Sequence, residues 1–283
     1  GNSLTIYGYT NQSGQLIANG GLAAAGIGGG SGGSGSYITI NGGTVTATGS
    51  YGAGIGGGSE GSGSNITING GTVMATSNNG AGIGGGNNGS GSYITINGGT
   101  VTATGGDAAG IGGGQQGFGS NITINGGTVT ANGGEWAAGI GGGACGNGTN
   151  ITINGGIVTA TGGDDAIGIG SGSYGTAASN IYISDAYILK AGADKDNTEV
   201  IAHSSAQDLG GTLTQRYVKA EGLATPYTRT TSVDQWATVC LPYDATSFEG
   251  ADFYKINYYN ESEQALYVEP VETLEAGMPY IFQ

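Results

Sequence analysis

A unit of about 28 residues recurs through the first two-thirds of the chain, and no other feature limits its fold so narrowly. The clearest copies read AGIGGG, then a Gly/Ser loop, then ITINGGTVTATG. The Gly-Ile-Gly core sets Ile27, Ile55, Ile83, Ile111, Ile140 and Ile169 in register. The ITI core does the same for Ile38, Ile66, Ile94, Ile122, Ile151 and Ile181. Both columns step by 28 residues and lengthen to 29 or 30 only in the last copies. A fixed period of this size marks a solenoid, in which each repeat packs on its neighbours. Such a fold offers long regular faces rather than one deep cleft, so the period bounds function as well as architecture.

Three short strands fit in each unit, as in Ala53-Gly54-Ile55, Ile66-Thr67-Ile68 and Thr72-Val73-Met74-Ala75-Thr76. Alternation sends Ala53, Ile55, Ile66, Ile68, Val73 and Ala75 to one side. A helix is excluded by the dense glycine and the apolar period of two. One coil buries about four large aliphatic side chains, on the order of 6–12 kcal/mol. Ordering its backbone costs about 1–2 kcal/mol per residue, so a lone coil does not hold and a stack is required. The fold class is all-β: a parallel β-helix with three short strands per coil over residues 1–205, followed by a small antiparallel β domain over 206–283.

Within the helix, Asn41, Asn69, Asn97, Asn125 and Asn154 follow the ITI strand. Asparagine tolerates left-handed backbone and bonds along a stack of its own kind, so this column reads as structural. Leu4-Thr5-Ile6 and Leu16-Ile17-Ala18 resemble the ITI and TVTA strands and form an atypical first coil, expected to act as a cap. At the far end the pattern decays through Ile181-Tyr182-Ile183, Tyr187-Ile188-Leu189 and the charged loop Asp194-Lys195-Asp196, and it is expected to end near His203.

Composition removes several alternatives. Glycine makes up 65 of 283 residues, but there is no Gly-X-Y period and there are 4 prolines, so the chain is not collagen. The net charge is -14, yet residues 1–180 hold no Lys or Arg and only Glu60, Asp107, Glu135, Asp164 and Asp165 as acids. Coils without cations have nothing to neutralise phosphates, which excludes nucleic acid as a partner. No stretch is apolar for about 20 residues, so no transmembrane helix is expected. The opening GNSLTIYG is not a signal peptide, and the sequence is expected to be excised from a longer precursor. Cys145 and Cys240 form no metal-ligand cluster and read as two separate thiols, with a disulfide between them as the alternative.

After about Gly210, glycine thins while proline, aromatic and charged residues rise. Strand-like runs cover 211–219, 236–241, 253–259, 265–268 and 279–282, with a turn at Asn260-Glu261-Ser262. This predicts a small β-sandwich-like module, expected to be incomplete because it stops in mid-strand by pattern.

The AGIGGG…ITINGGTVTATG repeats resemble those of secreted and surface-attached bacterial β-helix proteins, notably of Bacteroidetes and gut Firmicutes. The tail WATVCLPYDA…ADFYKI…LYVEPVETLEAGMPYIF resembles a β module of Bacteroidetes surface proteins. The resemblance implies export to the cell surface, a right-handed helix of the pectate-lyase-like type, and a role in adhesion or glycan contact. Similar-looking families include calcium-assisted binders of acidic polysaccharides. No catalytic motif transfers.

Lyase action on uronates needs a cation and a base that the coils do not carry. Glycoside hydrolysis needs two carboxyl groups facing one bond. Asp164 and Asp165 are adjacent and point to different sides if extended. Asp107, Glu135 and Asp165 fall at similar loop positions on successive coils, where they form either a row of solvated acids or a Ca²⁺ site. A calcium-assisted lyase or hydrolase therefore stands as a distant alternative, and no other cofactor is expected. His203, the only histidine, leaves little for a triad. The grid of outward threonines, interrupted by Met74, Asn132 and Ile157, resembles those of ice-binding β-helices, but threonine is also simply a good strand former.

Glycan binding is better supported. The outward position before each ITI strand holds in turn Tyr37, Asn65, Tyr93, Asn121, Asn150 and Asn180. Aromatic faces stack on sugars, and amides donate and accept hydrogen bonds. A second edge carries Tyr51, Asn79, Asp107, Trp136 and Asp165. The expectation is an exported, monomeric, non-catalytic surface protein that binds polysaccharide or mediates adhesion, with a purely structural spacer as the alternative.

Overall fold

A computed structural model describes residues 3–8, 14–176, 178–184, 187–201, 203 and 207–222, together with the strands Ala237–Cys240, Phe253–Asn260, Ala265–Val271 and Pro279–Phe282. The chain divides into two compact units, Gly1–Leu223 and Ala224–Gln283.

The first unit is a parallel β-helix. Its ITI sheet stacks seven strands in chain order: Leu4–Ile6, Gly35–Ile40, Gly63–Ile68, Gly91–Ile96, Gly119–Ile124, Gly148–Ile153 and Ser179–Ile183. The TVT sheet begins with Gln15–Asn19, Thr44–Gly49, Thr72–Ser77, Thr100–Thr104, Thr128–Asn132 and Ile157–Thr161. A third sheet holds six two-residue strands, from Ile27–Gly28 to Ile169–Gly170. Each residue pairs with its own counterpart one coil away, as in Ile38↔Ile66, Val73↔Val101 and Ile111↔Ile140. Ala53, Ile55, Ile66, Ile68, Val73 and Ala75 are all buried, as the alternation predicts.

The glycines permit coils one strand spacing apart to touch backbone to backbone. Gly56 has φ +135°, a conformation closed to other residues, and its counterparts in the other coils repeat it at +135° to +139°. A Cβ at Gly63 would run into the backbone of Gly84 in the next coil. At these positions the side chain is absent because the next coil occupies its place.

The two ends differ from the sequence expectation. The first coil stacks as predicted, with Leu4↔Ile38 and Leu16↔Val45. Leu4 and Leu16 nevertheless remain 43% and 37% exposed, so among the described residues of this coil the inward positions of both strands are left partly uncovered, unlike the polar outer face of a cap. At the other end, Tyr187–Gly192 does not continue the parallel stack. Tyr217–Gly222 inserts antiparallel between Ile157–Thr161 and Tyr187–Gly192, and Thr198–Ile201 closes the edge. The boundary expected at 205/206 therefore falls at 223/224. Val218 and Ala220 align with Ala160 and Val158 and carry the buried columns onward, because a period of two fits either strand direction.

The same segment closes the core from below. Leu209 and Leu213 are fully buried against it. The Asp208 carboxylate accepts hydrogen bonds from the backbone N–H of Asn180 at 2.8 Å, Ile181 at 2.9 Å and Gly210 at 2.9 Å. It stands where the next ITI strand would have supplied acceptors. Desolvation pushes its pKa up, but the three N–H donors outweigh that and hold Asp208 below the usual aspartate value.

In the second unit, the described strands form one four-stranded antiparallel sheet in the order Ala237–Cys240, Pro279–Phe282, Phe253–Asn260, Ala265–Val271. The expected turn at 261–262 and the second layer of a sandwich lie outside the described residues. Among the described residues, no helix is long and apolar enough to cross a membrane.

Candidate functional site

The ITI strands contain a break in parity that plain alternation hides. Gly35, Ile38 and Ile40 are all buried, yet Gly35 and Ile38 are three residues apart. One residue between them must absorb the mismatch, and it does so in left-handed backbone. Tyr37 has φ 57°, and its counterparts Asn65, Tyr93, Asn121, Asn150 and Asn180 have φ between 53° and 57°. The ladder skips them: Ser92 pairs with Ser120 and Ile94 with Ile122, while Tyr93 and Asn121 have no place in the register. The sequence-predicted column is therefore a stack of bulges, and it points outward for that reason rather than by alternation.

Asparagine enters this conformation readily, whereas tyrosine does so at a cost. The column also divides in two. Asn180 Nδ2 donates to Asn150 Oδ1 at 2.9 Å, and Asn150 Nδ2 donates to Asn121 Oδ1 at 3.3 Å. In the other half, Tyr37 and Tyr93 are 56% and 59% exposed and flank the exposed Asn65. Among the described residues, the Asn65 amide joins no such ladder. The two tyrosines are two coils apart, about 9.5 Å at one strand spacing per coil.

The column of Asn41, Asn69, Asn97, Asn125 and Asn154 is a hydrogen-bonded ladder, as expected, with Nδ2···Oδ1 distances of 2.7, 2.7, 2.8 and 2.9 Å. Its backbone is not left-handed. That conformation falls on Gly43, Gly71, Gly99, Gly127 and Gly156 two residues later, with φ from 84° to 88°.

On the second edge, Tyr51 is 43% exposed, and Asn79 Nδ2 donates to Asp107 Oδ2 at 3.2 Å. Trp136 is half-buried beside Tyr174, with ring centroids 6.5 Å apart and planes inclined by 55°. Tyr174 was missed from sequence. It occupies the loop tip five residues after the Gly-Ile-Gly isoleucine, where other coils carry Gly32, Glu60, Asn88, Gln116 and Cys145. An aromatic at such a tip, 69% exposed, was the available signal. Cys145 itself is a free, exposed thiol.

The acids Asp107, Glu135 and Asp165 do not come together. Among the described residues, no group of three His, Cys, Asp or Glu could hold a metal. The extra residue of the longer coils falls in this turn and shifts the register. Gly106, Gly134 and Gly163 stack on one another, so the acids that follow them are Asp107, Glu135 and Asp164. Asp164 is then paired with Arg216 at 3.0 Å, and Arg216 Nε donates to the Gly162 carbonyl at 2.9 Å. The capping segment thus brings to the last coil a cation that residues 1–180 do not supply.

The family model described as beta helix repeat matches residues 12–31, 38–59, 66–87, 94–115, 122–144 and 151–173. These six windows follow the coils one for one. No curated protein and no solved structure matches the chain.

Proposed function

The chain is a β-helix repeat protein, and on that premise we propose that it binds polysaccharide without breaking it, through the bulge column at Tyr37, Asn65 and Tyr93. One observation carries this reading. Two exposed tyrosines are held in left-handed backbone at positions where asparagine serves the same fold in four other coils. Strain kept where a cheaper residue fits points to a use for the ring. The ring faces offer stacking surfaces about two coils apart. The Asn65 amide between them supplies a donor and an acceptor for sugar hydroxyls. An exported protein at a cell surface, engaged in adhesion, accords with this chemistry and with the resemblance of its repeats.

The test is retention of the full chain on a panel of neutral and acidic polysaccharides, with and without Ca²⁺. Retention on at least one polysaccharide, lost in Tyr37→Ala and Tyr93→Ala, is the expected result. No retention on any member sinks the binding reading in favour of a spacer. Release of shorter products overturns its non-catalytic part.

A further inference from the structure

The two ends of the β-helix are finished differently. At the far end each sheet has a cover. Tyr217–Gly222 pairs with Ile157–Thr161, Asp208 takes the Asn180 and Ile181 N–H groups, and the Gln215 carbonyl accepts the Gly168 N–H at 2.7 Å. The first coil has no such cover among the described residues. Its inward Leu4, Leu16 and Ala18 are partly open where their counterparts Ile38, Val45 and Ala47 are buried, and Tyr7, Ile17 and Leu22 are exposed beside them. Gly14 and Gly20 bond into the second coil: the Gly14 carbonyl accepts the Thr44 N–H at 2.7 Å, and the Gly20 N–H donates to the Thr48 carbonyl at 2.8 Å. Backbone groups alternate sides along a strand, so those of Gln15, Ile17 and Asn19 face away from the second coil as an open edge.

We propose that this edge pairs with the same edge of a second copy, joining two chains head to head. The monomer expected from sequence gives way to a dimer. Charge selects the chain itself as partner. Residues 1–59 contain no Asp, Glu, Lys, Arg or His in a chain of net charge -14, so two copies meet at the first coil without like-charge repulsion. The strand also fits itself. A two-fold axis through Ile17 sets Gln15–Asn19 antiparallel to its copy, with Ile17 opposite Ile17 and Gln15 opposite Asn19. These are the residues whose backbone groups face the edge, so they form the hydrogen-bonded pairs. Between them Leu16 lies opposite Ala18, a large residue against a small one, and the two uncovered cores meet. On the outer face the two Ile17 side chains pack on each other, which accounts for an isoleucine, 61% exposed, in a column that continues with Thr46. Head-to-tail stacking would need the matching strands of the last coil, and these are already covered, so assembly stops at two. The edge shares no residue with the column of Tyr37, Asn65 and Tyr93, so either reading can fail alone.

The end of one coil is a small surface, so the pair should dissociate in the micromolar range. Analytical ultracentrifugation of the full chain, over about 1–300 µM, reads the mass in solution. A reversible equilibrium between one chain and two is the expected result. Ile17 points out of the coil, so a charge there leaves the core intact. Ile17→Glu and Ile17→Lys each set a charge against its own copy and weaken the pair about ten-fold or more. An equimolar mixture of the two variants recovers the dimer, because the introduced carboxylate then meets the introduced ammonium, a recovery that misfolded chains would not show. Val200→Lys, on the exposed Thr198–Ile201 strand at the other edge of the same sheet, leaves the affinity unchanged. The proposal is overturned if the chain stays single at every concentration or grows beyond two. It is equally overturned if Ile17→Glu pairs as tightly as the unaltered chain, if the mixture pairs no better than either variant alone, or if Val200→Lys weakens the pair as much.

Discussion

Replacing Tyr93 by asparagine separates what the bulge column does for the fold from what it does for a ligand. Tyr93 sits at φ 54° between Asn65 and Asn121. Left-handed backbone costs an ordinary L-residue about 1 kcal/mol, and asparagine escapes most of it. The new amide would lie one coil from an asparagine on either side and complete an unbroken ladder from Asn65 to Asn180. Two exposed amide bonds add about 0.5 kcal/mol each. Against this, Tyr93 is 59% exposed, and losing its covered part costs about 1 kcal/mol. Tyr93→Asn should therefore be more stable by about 1 kcal/mol, raising Tm by about 2–4 °C. Tyr93→Ala keeps the strain, adds no amide and should fall by about 1 kcal/mol. Thermal melts followed by circular dichroism, run beside the polysaccharide retention assay, read both effects. The reasoning requires Tyr93→Asn to gain stability and lose retention. A variant that melts lower than the unaltered chain refutes the strain argument, and one that is retained as before refutes the functional one.

Three further outcomes follow from the packing. Gly91→Ala would drive a Cβ into the backbone of Gly112, while the Gly91 N–H is held by the Phe118 carbonyl at 2.9 Å. Neither strand can retreat, so urea unfolding should show a loss of about 3 kcal/mol, and an unchanged midpoint would contradict the close-contact account of the glycines. Asn97→Ala removes two rungs of the amide ladder and Asn154→Ala one, so the first should cost about 1 kcal/mol and the second about half of that; equal losses would show that the ladder is not the cause. Asp208 has a folded-state pKa below its unfolded value, so its contribution is complete above the ordinary aspartate range near pH 4 and is lost as pH falls through the folded value. Acidification should therefore lower the protection factors (exchange relative to the intrinsic rate at each pH) of the Asn180 and Ile181 amides first, and Asp208→Ala should show low protection there at every pH.

Much of the coil was legible from sequence because each column of the stack is a comparison of the chain with itself. Ile55, Ile66, Ile68 and Val73 repeat in every full coil, and periodicity alone sent them inward. Three things were not legible, each for a physical reason. Alternation counts parity along one strand and cannot see a residue that breaks it, so the left-handed column was assigned to the wrong asparagines. The buried glycine three residues before the first isoleucine, as Gly35 precedes Ile38, was the missed clue. The direction of Tyr217–Gly222 was hidden because inward Val218 and Ala220 suit a parallel or an antiparallel strand equally. The register of the acidic turn was hidden because one inserted residue lets Asp164 or Asp165 follow Asp107, and only the stacked glycines decide between them.

The same self-comparison supplies a criterion for where function lies on this fold. A column residue that matches its counterparts is explained by them, since each serves as the packing partner of the next. A residue that departs from its column needs another explanation, but departure alone is weak. Met74 and Ile157 interrupt the threonine columns at 50% and 41% exposed, on ordinary strand backbone and at little cost to the fold. Tyr37 and Tyr93 depart from an asparagine column and also occupy backbone that disfavours them. Trp136 and Tyr174 depart from turn columns and meet each other across coils. Departure joined to strain, or to convergence, is what marks a position as kept for something other than the coil. By that criterion the acidic turn has no claim, because its departures come from an inserted residue and its third acid is neutralised by Arg216.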